Sequence, residues 1–200
     1  MKIGLFGGTF NPVHLGHVDM IHQTIKRIAL DKVFFIPAYI PPHKQNQTLA
    51  SFEHRVNMLK LAIHSEKNCE VSDYEKQNEG PSYTILTVEF FEKTFPNDEI
   101  FYIMGSDSFE HIESWYHWWE LLKMCHFIII DRQEGSFSIN ENVQRILNES
   151  IYQCIHLPLK TMPISSTMIR NQIKKQLLLP DMLSDKVYNY ILQNKLYMGD

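Results

Sequence analysis

Cysteine is scarce in this chain: Cys69, Cys125 and Cys154 are the three in 200 residues, widely separated and without a C-x-x-C pair. That excludes a disulfide framework and a cysteine-rich zinc site, and leaves the three as reduced core residues. No apolar run approaches the ~20 residues of a membrane span, and too few apolar residues lie between Met1 and Gly7 for a signal peptide. The expectation is a cytoplasmic protein with no membrane partner. Positive charge is not in excess either: 19 Lys and Arg against 23 Asp and Glu give a formal charge of −4, so there is no overall basic field for nucleic acid. A local positive pocket on an acidic body remains open, and a small-molecule partner is expected. Internal repeats and low-complexity tracts are missing. So is the G-x-G-x-x-G spacing of a dinucleotide-binding oxidoreductase, because the early glycines fall at Gly4, Gly7, Gly8 and Gly16.

What is present is alternation. Short runs rich in β-branched and aromatic residues occur at 3–6, 33–36, 70–72, 100–104, 127–130 and 155–157. Helical patterns lie between them. The first carries Val18, Ile21, Ile25 and Ile28; the second follows a Ser51 cap with Phe52, Val56, Leu59 and Ile63; the third follows Ser82 with Ile85, Val88 and Phe91. Strands alternating with helices predict a doubly wound parallel α/β sheet covered on both faces, with ligands beyond the carboxyl ends of the strands. Two further helical patterns, about 167–175 and 185–193, predict a small C-terminal helical cap over about 165–200 on a single domain of residues 1–200. The polar stretches 45–49 and 133–138 read as mobile loops.

Two strings carry chemistry. Gly7-Gly8-Thr9-Phe10-Asn11-Pro12-Val13-His14-Leu15-Gly16-His17 follows the first strand and opens the first helix. Its glycines let main-chain N–H groups approach an anion, the helix start adds partial positive charge, and His14 and His17, three apart, share one side of a helical turn. A bare strand-to-helix turn with buried histidines is the plain alternative. In Ile164-Ser165-Ser166-Thr167-Met168-Ile169-Arg170, hydroxyl residues precede a helix, Ser166 reads as its cap, and Arg170 offers a charged fork to phosphate. A simple cap with a surface arginine is the plain alternative there. Trp115 and Trp119, four apart, would share a face if they lay on one helix.

Together the two strings resemble the signatures of the nucleotidyltransferase superfamily. Pro41-Pro42-His43-Lys44, Pro81-Ser82-Tyr83-Thr84, Gly105-Ser106-Asp107-Ser108 and Trp115-Tyr116 are similar, in order and spacing, to the bacterial nicotinate-mononucleotide adenylyltransferases. The resemblance implies a Rossmann-like fold and ATP-dependent transfer of AMP to nicotinate mononucleotide. It implies catalytic roles for His14, His17 and Arg170. ATP contacts would come from Gly7, Gly8, Thr9, Phe10, His14, His17, Gly105, Asp107, Ile164, Ser165, Ser166 and Arg170. Contacts to the mononucleotide would come from Asn11, Lys44, Thr84, Trp115, Tyr116 and Arg132. The string Arg132-Gln133-Glu134-Gly135 stands where the family usually has Arg-Pro-Gly, so the loop after Arg132 departs from the pattern. Mg²⁺ is expected on the ATP phosphates, with no metal ligand assigned among the side chains, and a homo-oligomer is left open. The competing readings are a phosphopantetheine adenylyltransferase, which shares a related turn but lacks this chain's PHK, SYT and Trp-Tyr strings, and a nucleotide-binding module without turnover.

Overall fold

The computed structural model describes residues 1–41, 49–78, 80–131, 138–177 and 181–198. Along them run β1 (Lys2–Gly8), α1 (Leu15–Ile28), β2 (Lys32–Pro37), α2 (Phe52–Ala62), β3 (Cys69–Val71), α3 (Tyr74–Gln77), α4 (Thr84–Thr94) and β4 (Glu99–Gly105). Then follow α5 (Ser106–Phe109), a 3₁₀ turn (Ile112–Ser114), α6 (Trp118–Leu121), β5 (His126–Asp131), α7 (Glu141–Glu149), β6 (Cys154–Pro158), α8 (Ser166–Lys174) and α9 (Asp185–Gln193). All six expected strands form, and every pairing is parallel, in the order β3-β2-β1-β4-β5-β6.

Strand periodicity divides the core between the two faces of the sheet. Phe6, Phe35, Phe101, Ile103, Ile128 and Ile130 point to one side, where they meet Met20 and Ile21 of α1, Leu59 of α2, Ile169 of α8 and Ile191 of α9. Their alternate neighbours Leu5, Ile36, Tyr102, Phe127 and Ile129 point to the other, against Ile85 and Val88 of α4 and Val143 of α7. Ile128, Ile129 and Ile130 are fully removed from water. Burying each contributes about 2 kcal/mol, so a central strand apolar at every position is what a two-sided sheet demands. Cys69 and Cys125 are buried free thiols, and burial pushes the Cys69 thiol up to about 12.

One detail of helix entry differs from the sequence reading. Ser165, not Ser166, caps α8, its hydroxyl accepting the Met168 N–H at 3.2 Å. Helix α4 starts at Thr84, and the Ser82 hydroxyl before it accepts the N–H groups of Tyr39 and Ile40, at 2.9 and 3.1 Å. Helix α7 is absent from the sequence reading although Asn140 caps it, accepting Val143 N–H at 2.9 Å. Of the stretches 45–49 and 133–138, read as mobile loops, residues 45–48 and 133–137 lie outside the described residues.

With order 3-2-1-4-5-6 the chain reverses direction of winding between β1 and β4, and the crevice opens there, beyond Gly8 and Gly105.

Candidate active site

The loop from β1 to α1 is held by its carbonyl oxygens. Gly8 O accepts from Ala38 N–H at 2.9 Å, Thr9 O from Arg55 Nη1 at 2.9 Å, Asn11 O from Arg170 Nη1 at 2.8 Å and Pro12 O from the Ser166 hydroxyl at 2.8 Å. Carbonyl oxygens would repel an anion, and these four are turned toward protein donors. The loop also contains Phe10 at φ 48° and a cis Asn11–Pro12 peptide. At Gly7 a Cβ would collide with the hydroxyl of buried Tyr102, so β1 can pass there only as glycine.

His14 and His17 stand at the start of α1 with their rings stacked, centroids 3.7 Å apart at 28°. His14 is 8% exposed. A Cβ on Gly16 would come within 3.1 Å of His14 Nδ1, so the glycine between the histidines makes room for the ring. The His14 backbone N–H donates to His17 Nδ1 at 3.3 Å. A backbone N–H can only donate, so Nδ1 accepts in this contact and Nε2 is the ring's donor nitrogen. Phe10 meets the His17 ring edge-on at 5.3 Å.

Ser166 and Arg170 bind the loop from the far end of the chain, Ser166 across 154 positions of sequence. The two strings singled out by sequence therefore form one wall. Arg170 spends part of its fork internally, on Asn11 O and on Thr167 Oγ1 at 3.2 Å, and keeps further N–H donors for an anion.

A cleft of about 860 Å³ lies along this wall and continues past β4. Gly7, Gly8, Thr9, Phe10, Asn11, His14, His17, Gly105, Asp107, Ile164, Ser165, Ser166 and Arg170 all line it, as do Thr84, Trp115 and Tyr116. Thr84 begins α4, whose first N–H groups lack helical acceptors by geometry. Trp115 ends the 3₁₀ turn and meets Tyr102 edge-on at 6.2 Å, while half-exposed Tyr116 stacks on Tyr83 at 4.4 Å. Trp115 and Trp119 do not share a helix: Trp118 packs on the core, and Trp119, 46% exposed, stacks on His117. Lys44 and Arg132 lie outside the described residues. Among the described residues no group of three or more His, Cys, Asp or Glu could hold a metal ion, and no helix is long and apolar enough to cross a membrane.

Sequence reasoning missed Glu75 of α3. Its carboxylate lines the cleft and accepts from Thr87 Oγ1 at 3.1 Å and Tyr39 N–H at 3.3 Å, joining α4 to the segment after β2. Removal from water holds this carboxyl above the ordinary 4.5, against the hydrogen bonds and the Arg55 charge that favour the anion. From pH 4.5 up to the raised value, folded protein keeps a proton that unfolded chain has lost, so this group makes stability fall as pH rises. Melting temperatures of the unmodified protein and of Glu75→Gln, compared from pH 4.5 to neutrality, are expected to show the unmodified protein losing ground as the pH rises through the raised value and holding a constant difference above it. A constant difference over the whole range would remove Glu75 as the source.

The cytidylyltransferase-like family model matches residues 5–172, from β1 through α8, and so spans both strings. The chain belongs to that family. Within this family, the nicotinate-nucleotide adenylyltransferase of Bacillus subtilis is 39% identical over 196 residues, covering 98% of each chain. A probable nicotinate-nucleotide adenylyltransferase of Carboxydothermus hydrogenoformans is 39% identical over 197 residues, with the same coverage. Among solved structures, the nicotinic acid mononucleotide adenylyltransferase of Plasmodium falciparum in complex with NaAD superposes with a TM-score of 0.77 over 100% of this chain and 98% of that one. At 22% identity that likeness speaks for the fold. Cytidylyltransferase-like membership, with adenylyltransferases as its relatives, makes the chain a nucleotidyltransferase.

Proposed function

We infer that this nucleotidyltransferase is a nicotinate-nucleotide adenylyltransferase, transferring AMP from ATP to nicotinate mononucleotide to give nicotinate adenine dinucleotide and pyrophosphate. The observation that carries the reading is the single wall built from the glycine loop, the stacked imidazoles and the Ser166–Arg170 string. Among nucleotidyl transfers, the choice of nicotinate mononucleotide rests on the likeness to the Bacillus subtilis enzyme along nearly the whole chain.

In this reading the 5′-phosphate of the mononucleotide attacks the α-phosphorus of ATP in line. A P–O bond forms to the incoming phosphate oxygen, the bond to the bridging oxygen breaks, and pyrophosphate leaves with that electron pair. The attacking group is already an anion, so no side-chain nucleophile or base is needed, and the protein's task is alignment and charge stabilisation. His17 Nε2–H and His14 donate to oxygens of the α-phosphate, while Ser165, Ser166 and the free part of the Arg170 fork hold the triphosphate with Gly7, Gly8, Thr9, Phe10 and Ile164. Gly105 and Asp107 meet the adenosine. The Trp115 face stacks on the pyridine ring, and the N–H groups at Thr84 and Tyr116 receive its carboxylate, Thr84 with the dipole of α4 behind it. Asn11, Lys44 and Arg132 contact the mononucleotide. Mg²⁺ brought in with ATP would supply positive charge to offset that of the leaving pyrophosphate; no side chain is assigned to hold it. Residues 1–200 act as one unit, since α8 supplies part of the wall.

The test compares nicotinate and nicotinamide mononucleotides with ATP. Dinucleotide and pyrophosphate are expected in equal amounts, with kcat/KM higher for the nicotinate form by about tenfold, a carboxylate at a helix start being favoured over an amide. Pyrophosphate release with neither mononucleotide would sink the reading; equal use of both would remove the assigned carboxylate contacts.

A further inference from the structure

The chain's C-terminal segment reaches back to the glycine loop through one side chain. Tyr197, beyond α9 and in the left-handed region at φ 64°, donates its hydroxyl proton to Asn11 Oδ1 at 2.8 Å. The Ala50 backbone N–H donates to the same oxygen at 3.0 Å. Because a backbone N–H cannot accept, the Asn11 atom facing Ala50 must be oxygen, and the amide is locked against a flip. Both lone pairs of Oδ1 are used, and Nδ2 is turned away from these partners.

Asn11 is 4% exposed, yet it lines the cleft, and Nδ2 has no hydrogen-bond partner among the described residues. A buried donor left unmet is rare in a folded protein unless something else is to meet it. The residue's main chain is equally fixed: Arg170 holds Asn11 O and Ser166 holds the next carbonyl. A phosphate oxygen, which only accepts and is anionic, is the partner whose chemistry suits an amide donor in this loop. Burial raises the Tyr197 hydroxyl above the usual tyrosine range, against the pull of the Arg170 and Arg55 charges, so it remains a protonated donor at neutral pH.

Resting on the adenylyl-transfer reading, we infer that Tyr197 is a positioning residue: with the Ala50 N–H it fixes the Asn11 amide so that Nδ2 donates to a phosphate oxygen of a bound substrate. A segment past the last helix thus sets the orientation of a donor in the first loop.

A double-mutant cycle tests this on the full chain. Tyr197→Phe removes the hydroxyl and keeps the ring, Asn11→Ala removes the donor, and kcat and both KM values are measured for each variant and for the pair, with a melt to show that each is folded. Tyr197→Phe is expected to change one kinetic parameter by about three- to tenfold, Asn11→Ala to change the same parameter more, and the double variant to match Asn11→Ala alone. A shift in KM for the mononucleotide assigns the attacking phosphate, a shift in KM for ATP the triphosphate, and a fall in kcat the α-phosphate in transfer. Additive effects, or every parameter within about twofold in both single variants, would overturn the inference. Should Asn11→Ala not fold, Asn11→Ser closes the same cycle. Unmodified protein that makes no dinucleotide would refute the adenylyl-transfer reading itself, whereas normal turnover with additive variants would refute only the role of Tyr197.

Discussion

Replacing His17 with alanine is expected to slow pyrophosphate release at saturating ATP and mononucleotide by about 10² to 10³, the usual cost of losing one preorganised donor to developing charge. The effect follows from the ring's surroundings. His17 Nδ1 is occupied by the His14 N–H, which leaves Nε2 as the donor, and the ring is wedged between the His14 ring at 3.7 Å and Phe10 at 5.3 Å. The donor is therefore aimed before substrate arrives. Alanine also removes the acceptor for the His14 N–H at the start of α1, a loss of about 1 kcal/mol in stability that leaves the fold intact. Activity within about threefold of the unmodified protein, in a variant that still melts cooperatively, would contradict the role given to His17.

Arg55→Ala is expected to lower stability by about 3 kcal/mol, seen as a fall of roughly 6 to 12 °C in Tm. This side chain is 2% exposed, the largest of those wholly buried among the described residues, and its guanidinium donates to Ala50 O at 3.1 Å and Thr9 O at 2.9 Å. Truncation takes the side-chain donor from two half-buried carbonyls, opens a cavity beside Phe52, and removes the positive charge that favours the Glu75 anion. Because Thr9 lies in the glycine loop, activity should fall along with Tm. A Tm within about 2 °C would show that water or a neighbouring donor takes over both carbonyls.

The six strands are legible in the sequence because a strand covered on both faces must be apolar at nearly every position, and runs such as Phe127-Ile128-Ile129-Ile130 have no other simple reading. The two strings that form the wall are legible because glycine, histidine and serine are concentrated at strand-to-helix turns, where a parallel sheet puts its ligands. Helix α7 escapes notice because only Val143, Ile146 and Leu147 give it an apolar face in a short polar segment. Ser165 and Ser166 are equally good caps on paper. Only the fold decides between them, drawing the Ser166 hydroxyl to Pro12 O and leaving Ser165 to cap. Arg55, Glu75 and Tyr197 carry no signal in their own strings: each lies in an ordinary polar or amphipathic stretch and is tied to the site by one partner that is 36 to 186 residues away. Long-range contacts of this kind have no local pattern to read.

In the proposed adenylyl transfer, one wall of loop and imidazoles holds an α-phosphoryl group while a second substrate's phosphate displaces pyrophosphate in a single step. ATP carrying sulfur in place of one non-bridging α-oxygen, of known configuration, tests it most directly. A single in-line displacement gives dinucleotide of inverted configuration at phosphorus; retention would mean two displacements through a covalent enzyme intermediate and would contradict the account.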